Sequence, residues 1–273
     1  MAYSTILVHM GNDERRSVRL GVAVELALRF DAFLDVLYIA APVATPAGTT
    51  GRGASAAFGA EASDAVHDRA AQVEEEVHKA CRDCSYSWSV IEGDHMKLLT
   101  ARAAFADLAV LSQSHPAYLE DEVLLHLPDR LPLEAPCPAL ILPWDGPVEV
   151  PGRHLLVAWK NCREAGRALR DALPFLQRAD RVTVLTVGFD SKDDSEPTDL
   201  SVYLARHGVE AEFHPDPTPD DDAGDVILTC ARELDCDAIV MGAYGHSRLR
   251  DMMLGSATHT VLSHMHVPVL MAH

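Results

Sequence analysis

The chain has little positive charge and lacks long apolar runs. Its 273 residues include 23 Lys and Arg against 41 Asp and Glu, which gives a formal net charge of −18. A charge of this sign repels the phosphates of nucleic acids and of anionic lipid surfaces at long range. Its apolar runs are also far shorter than the roughly 18 residues that a membrane-spanning helix needs. The sequence therefore predicts a soluble protein that binds neither nucleic acid nor membrane.

The sequence also lacks the features of an exported protein. Its first residues place acidic and basic side chains directly after a short apolar run, unlike the order in a secretory signal peptide. Six cysteines in a chain of this length favour reduced thiols over a disulfide framework. Cys81 and Cys84 have the spacing of a redox or metal pair, but no second pair accompanies them, and we interpret them as structural. These features predict a cytoplasmic protein.

Short apolar runs alternate with amphipathic segments along the whole chain. The first run, 4–9, has the β-branched character of a strand buried on both faces. The same order of strands and helices recurs after the Pro- and Gly-rich stretch 143–152. Such alternation implies βαβ units, hence parallel sheets covered on both sides. The sequence predicts an α/β fold with two tandem, doubly wound, open five-stranded parallel sheets, in residues 1–146 and 152–273.

The most specific motif is Gly242-Ala-Tyr-Gly245, followed nine residues later by Gly255-Ser256. It follows a predicted strand and leads into the last predicted helix. Glycines at such a position let the backbone approach phosphate oxygens, and the free N–H groups of a helix start favour anions. The motif is neither a P-loop nor a G-x-G-x-x-G fingerprint. It predicts a phosphate-binding loop without a cationic side chain; the alternative is that the glycines only shape turns.

This motif resembles the ATP-binding signature of universal stress proteins, and residues 237–273 are similar to the final third of that family. The resemblance implies a Rossmann-like, adenine nucleotide alpha hydrolase-like fold and a role in the stress response. It implies ATP, with or without Mg, in the C-terminal domain, and two domains paired like the subunits of a family dimer. The residues at the family's nucleotide-binding positions are Ala158, Val187, Gly242, Gly245, Gly255, Ser256 and Thr258. His246, inside the loop, is a further candidate for a phosphate contact.

Two regions depart from the family pattern. Lys160-Asn161-Cys162 replaces the Asp-Gly-Ser-like turn after the first strand of the second half, so the usual acceptor for adenine is missing. Lys160 becomes a candidate phosphate contact instead. In the first half the corresponding segments, 111–116 and 131–134, contain neither the glycines nor the Gly-Ser pair. We predict that residues 1–146 form a degenerate domain without a nucleotide loop, which covers the edge strand of the second domain.

The sequence leaves two other functions open. ATP bound in such a loop could be hydrolysed slowly with Mg²⁺, or the chain could be a nucleotide-free scaffold. Linear spacing identifies neither a catalytic residue nor a metal site, since triads and metal sites are defined by geometry. Association of two chains into a homodimer is also open.

Overall fold

The structure, a computed structural model, describes residues 2–40, 68–113, 127–188, 196–244 and 257–273. The strands are β1 (Thr5–Met10), β2 (Phe33–Ala40), β3 (Tyr86–Glu92), β4 (Leu108–Ser112), β5 (Ala139–Leu142), β6 (His154–Ala158), β7 (Arg181–Val187), β8 (Glu212–Asp216), β9 (Ala238–Gly242) and β10 (Val269–Ala272). The helices are α1 (Arg16–Phe30), α2 (residues 68–80), α3 (His95–Ala103), α4 (Leu127–Glu134), α5 (Arg163–Asp171), α6 (Leu173–Leu176), α7 (Glu196–Arg206), α8 (Ala223–Glu233) and α9 (Ala257–His264). Over these ranges, no helix combines the length and the apolar character needed to cross a bilayer.

The strands form a single ten-stranded sheet in the order β3-β2-β1-β4-β5-β10-β9-β6-β7-β8. Neighbouring strands are parallel except β5 and β10, which pair antiparallel with Leu140 opposite Leu270. Within each half the first strand is central, and the direction of winding reverses between the first and the fourth strand. The predicted α/β class with two doubly wound five-stranded sheets is confirmed. The structure adds that the two sheets join edge to edge.

The core lies on both faces of this sheet. Along β1 the fully buried side chains of Ile6 and Val8 belong to one apolar cluster, and that of Leu7 belongs to the other. Both clusters extend through the two halves. Strands covered on both faces read as continuous apolar runs, which is why the short runs in the sequence predicted them correctly.

The two halves fix their central strands with the same device. Asp107, just before β4, accepts hydrogen bonds from the backbone N–H groups of Ser4 and Thr5 at 2.7 and 2.9 Å. Asp237, just before β9, accepts from the N–H groups of residues 152–154 at 2.5–3.0 Å. Each carboxylate therefore secures the start of the first strand of its half to the start of the fourth. This repeated arrangement supports a common origin of the halves.

One helix differs from the sequence-based expectation. The hydrophobic pattern of the sequence predicts a helix near 120–127, a range that lies outside the described residues except for its last position. The described helix is α4, Leu127–Glu134, which sequence reasoning missed because Pro128 and Pro132 lie within it. A proline is tolerated in the first turn of a helix, and Leu131 and Pro132 are buried against the rest of the protein. Tertiary packing therefore outweighed the local preference.

An aromatic cluster joins the two halves. The ring of Phe175 in the second half lies 5.4 Å from that of Tyr3 and 5.2 Å from that of Phe30 in the first half, between ring centroids. All three side chains are buried, and the hydroxyl of Tyr3 donates to the backbone carbonyl of Asp171 at 2.6 Å. Buried aromatic contacts of this kind contribute strongly to stability. The cluster therefore holds the halves together near α1 and α6.

We expect Phe175→Ala to lower the free energy of unfolding by about 3–5 kcal/mol, because it leaves a cavity between Tyr3 and Phe30. Phe105→Ala is the matched control. Phe105 is 83% exposed, so its loss should change stability by no more than about 0.5 kcal/mol. Urea denaturation of both variants measures the difference. Equal effects of the two substitutions would contradict the assigned role of the cluster.

Candidate functional site

The predicted site residues of the second half meet at the carboxyl edge of the sheet. Ala158 is the last residue of β6, Val187 the last of β7 and Gly242 the last of β9. Strands β6 and β9 are neighbours, with Ala158 opposite Met241, and the winding reverses between them. In open α/β sheets such a switch point forms a crevice that holds ligands. The structure thus brings Ala158, Val187 and Gly242 to the edge where a ligand is expected.

Gly242 permits a close approach between β9 and α5. A Cβ atom at this position would lie 2.6 Å from the backbone nitrogen of Ala165 and 2.7 Å from the carbonyl carbon of Glu164. Both atoms are backbone, so neither could move aside without shifting the helix. Only glycine fits here without such a shift. The first glycine of the motif therefore has a packing role, in addition to any contact with a ligand.

The rest of the motif is described only in part. Gly245, His246, Gly255 and Ser256 lie outside the described residues, and their roles stay predictions. Thr258, in α9, is buried, and its hydroxyl accepts a hydrogen bond from the backbone N–H of Tyr244 at 3.1 Å. In this arrangement Thr258 supports the backbone that follows β9.

Lys160 lies in the turn after β6 and forms an ion pair with Asp220, with 2.5 Å between Nζ and Oδ2. The side chains are 70% and 53% exposed, respectively. Exposed ion pairs of this kind contribute only about 0–1 kcal/mol, so a ligand phosphate can replace the carboxylate at low cost. Lys160 is therefore near the crevice but already has a partner.

Glu164 is a residue of the site that sequence reasoning missed. It lies in the first turn of α5, is 5% exposed, and its Oε2 atom has no hydrogen-bond partner. Burial raises its pKa, but hydrogen bonds from its own N–H, from Cys162 and from Arg163 outweigh burial and lower it. The carboxylate is therefore charged at neutral pH. It gives the start of α5 a negative charge, which opposes the binding of an anion at that helix end.

The equivalent crevice of the first half is filled by the protein's own side chains. Arg19 is 2% exposed, and its guanidinium donates two hydrogen bonds to the carboxylate of Asp13, at 2.6 and 3.1 Å. It also donates to the hydroxyl of Ser112, at the end of β4, and to the backbone carbonyl of His9, near the end of β1. Strands β1 and β4 flank the switch point of this half. The switch point of this half is thus occupied by an internal ion pair.

Two buried histidines lie beside this ion pair. Nε2 of His9 and Nδ1 of His95 are 3.1 Å apart and share one proton, and both side chains are almost fully buried. Burial, reinforced by the Arg19 guanidinium, holds the pKa of His9 well below its usual range. Burial also lowers the pKa of His95, and the nearby carboxylate of Asp94 partly offsets this. Both rings are therefore neutral in the folded protein.

Comparisons with known proteins relate the C-terminal part of the chain to one family and the whole chain to one fold. Residues 219–273 match the model of the universal stress protein family. No curated protein is similar enough in sequence to count as a relative. A universal stress protein from Archaeoglobus fulgidus is 18% identical, with a TM-score of 0.75, over 98% of this chain and 95% of that one. A Pseudomonas aeruginosa protein of unknown function is also 18% identical, with a TM-score of 0.59, over 99% of this chain and 92% of that one.

We expect the stability of the protein to fall as the pH drops below about 6.5, where free histidines begin to protonate. The pKa values of His9 and His95 are lowered in the folded state, so the unfolded state binds protons first. The free energy of unfolding then decreases by at most about 1.4 kcal/mol per pH unit for each histidine. Urea denaturation between pH 7.5 and 5.5 measures this slope. Most carboxylates titrate below this pH range and do not contribute to it.

Two variants assign the slope to the buried pair. The double variant His9→Gln/His95→Gln should flatten the slope, whatever its stability at pH 7.5. His264→Gln, which changes an exposed histidine, should leave the slope as in the native protein. A native slope near zero, or an undiminished slope in the double variant, would show that the pair does not titrate as proposed.

Proposed function

We propose that the second half of the chain binds ATP, because residues 219–273 match the universal stress protein family and the chain shares the fold of a universal stress protein. The ligand would lie in the crevice between the ends of β6 and β9. Its adenine would lie near Ala158 and Val187, and its phosphates near the glycine motif and Ser256. The chain would then act as a nucleotide-dependent regulatory protein of the stress response.

The position of Gly242 is the observation that carries this proposal. It ends β9 at the switch point of the second half, next to the end of β6. The motif that it begins has the spacing of the family's nucleotide signature, and Ala257, the residue after its final Ser256, lies in α9. The first half has the same strand order, but its crevice holds Arg19 and Asp13. Only the second half therefore combines the crevice with the motif.

Lys160 supplies a cation near this crevice in a protein with a large negative charge. Its partner Asp220 lies at the start of a 3-10 turn that precedes α8. An incoming triphosphate carries more charge than one carboxylate, and the pair is exposed and weak. We propose that Lys160 exchanges Asp220 for a phosphate oxygen on binding. This phosphate contact would restore part of the affinity for ATP that is lost because the turn 160–162 lacks the acceptor for adenine.

The thiols fit the reducing conditions of the cytoplasm, where we propose that the protein acts. All six cysteines are free. Burial, together with the neighbouring Cys84, raises the pKa of Cys81 to about 12. Since the reactive form of cysteine is the thiolate, Cys81 is chemically inert at neutral pH. This supports a structural role for the Cys81 and Cys84 pair.

We expect ATP to raise the melting temperature of the native chain. At 100 times its Kd a ligand adds about 2.7 kcal/mol, which corresponds to roughly 5–10 °C for a protein of this size. Gly255→Val should abolish the shift, because its side chain would fill the phosphate loop. Gly166→Ala, a glycine change in open space on α5, should retain it. A thermal-shift panel of nucleotides, with and without Mg²⁺, makes the measurement.

The thermal-shift panel, an analysis of co-purified nucleotides and a phosphate-release assay together distinguish the alternatives. A native chain that no nucleotide stabilises, and that purifies without bound ATP or ADP, would contradict the proposal and favour a scaffold. Release of phosphate from ATP that is lost in Gly255→Val would instead indicate a slow Mg-dependent ATPase. Binding without release supports a regulatory role.

The ion pair gives a second prediction. We expect Lys160→Met to weaken ATP binding about fivefold, and Asp220→Asn to strengthen it by up to about threefold, because that change frees Lys160. Asp222→Asn is the control, since it removes an equal charge from the same segment at an exposed position. Isothermal titration calorimetry measures the three affinities. If Asp222→Asn improves binding as much as Asp220→Asn, net charge rather than the exchange explains the effect.

A further inference from the structure

A polar side chain of the first half reaches the second half from the place where the glycine loop is missing. Gln113 directly follows β4, and its Nε2 donates a hydrogen bond to the backbone carbonyl of Leu262, in α9, at 2.5 Å. Its Oε1 accepts from the backbone N–H of Trp144, in the segment that joins the halves, at 3.1 Å. A carbonyl only accepts and an N–H only donates, so these partners fix the orientation of the side-chain amide. Gln113 thus binds the joining segment and α9 at once.

The carbonyl of Leu262 needs a donor from outside its own helix. Helix α9 ends at His264, and the last four carbonyl groups of a helix have no N–H partner within it. Leu262 lies in this last turn and is 4% exposed. A buried carbonyl that is left without a partner destabilises the fold. The side chain of Gln113 therefore acts as a C-terminal cap for α9, supplied by the other half of the protein.

The equivalent position of the second half is Ala243. Gln113 and Ala243 each follow the fourth strand of their half. Each N–H donates at 2.8 Å to the carbonyl that ends the last strand of that half, in Leu142 and in Ala272. The two backbones therefore correspond, but the methyl group of Ala243 cannot donate a hydrogen bond. The first half has gained this contact at a loop that lacks the glycines of the motif.

The internal ion pair of the first half supports the base of the cap. Ser112, the residue before Gln113, is buried, and its hydroxyl accepts a hydrogen bond from the guanidinium of Arg19 at 2.8 Å. Arg19 is in turn paired with Asp13 at 2.6 Å. These contacts hold the end of β4 in one place, which limits the positions open to the next side chain. The residues at the first switch point thus fix the point from which Gln113 reaches α9.

A second contact runs in the opposite direction. Arg167, in α5 of the second half, donates to the backbone carbonyl of Pro136, just beyond the end of α4 in the first half. Helices α4 and α9 occupy equivalent places before the last strand of each half, and they pack against each other. Each half therefore binds a backbone carbonyl at or beyond the end of the other half's helix.

We propose that Gln113 is an interdomain helix cap, through which the first half controls the order of α9. The first half then does more than cover an edge strand, because release of this one side chain lets the end of α9 fray. Local opening of this kind starts at helix ends whose backbone groups lose their partners. The cap does not depend on any ligand, so it can be tested separately from the proposed function.

Amide hydrogen exchange of the full chain without ligand tests the cap. We expect Gln113→Ala to speed exchange at residues 261–264 and at Trp144 about fivefold, because both bonds of the side chain are lost. Gln113→Glu keeps an acceptor for Trp144 but has no donor for Leu262. It should speed exchange at residues 261–264 at least as much, and it should leave Trp144 protected as in the native chain.

Gln177→Ala is the matched control. Gln177 also donates from Nε2 to a backbone carbonyl, that of His207 at 2.9 Å, but this bond lies within the second half. Its loss should leave exchange at residues 261–264 and at Trp144 unchanged. Native exchange at residues 261–264 in either Gln113 variant, or an equal increase there in Gln177→Ala, would overturn the proposal.

Discussion

The antiparallel pairing of β5 with β10 is the constraint on which the rest of the structure depends. Each half is a five-stranded sheet whose last strand would be an unpaired edge, and Leu140 and Leu270 on these strands are almost fully buried. Exposed edges of this kind pair with other chains. By pairing with each other, β5 and β10 remove both edges at once and merge two apolar cores. They also bring α4 of the first half against α9 of the second.

This junction lets two halves of the same topology differ in chemistry. At the switch point of the first half, Arg19 and Asp13 fill the crevice with a buried ion pair. At the switch point of the second, Gly242 leaves no side chain, and the backbone approaches α5 directly. Buried ion pairs are costly to break, since each partner left alone would be an unpaired charge in a dry interior. The two switch points therefore differ in what occupies them: a paired Arg19 in the first half and a bare glycine in the second.

Much of the fold was predictable from particular residues. Apolar runs such as 4–9 and 238–241 are read directly as strands buried on both faces, and all the predicted strands within the described residues exist. Helix α4 was missed, because Pro128 and Pro132 argue locally against a helix and only burial compensates for them. The motif from Gly242 to Ser256 was recognisable by spacing. Glu164 and the partner of Lys160 were not, since long-range contacts leave no local pattern.

The sequence by itself determined the α/β class, the repeat of two halves and the candidate nucleotide motif, because hydrophobic period and glycine spacing are local properties of the chain. Only the tertiary structure decided how the two sheets join, that Arg19 and Asp13 pair at the first switch point, and that Lys160 pairs with Asp220. These features depend on residues distant in sequence that meet only after folding. Charge and hydrogen bonding between such residues can be assessed only once their distances are known.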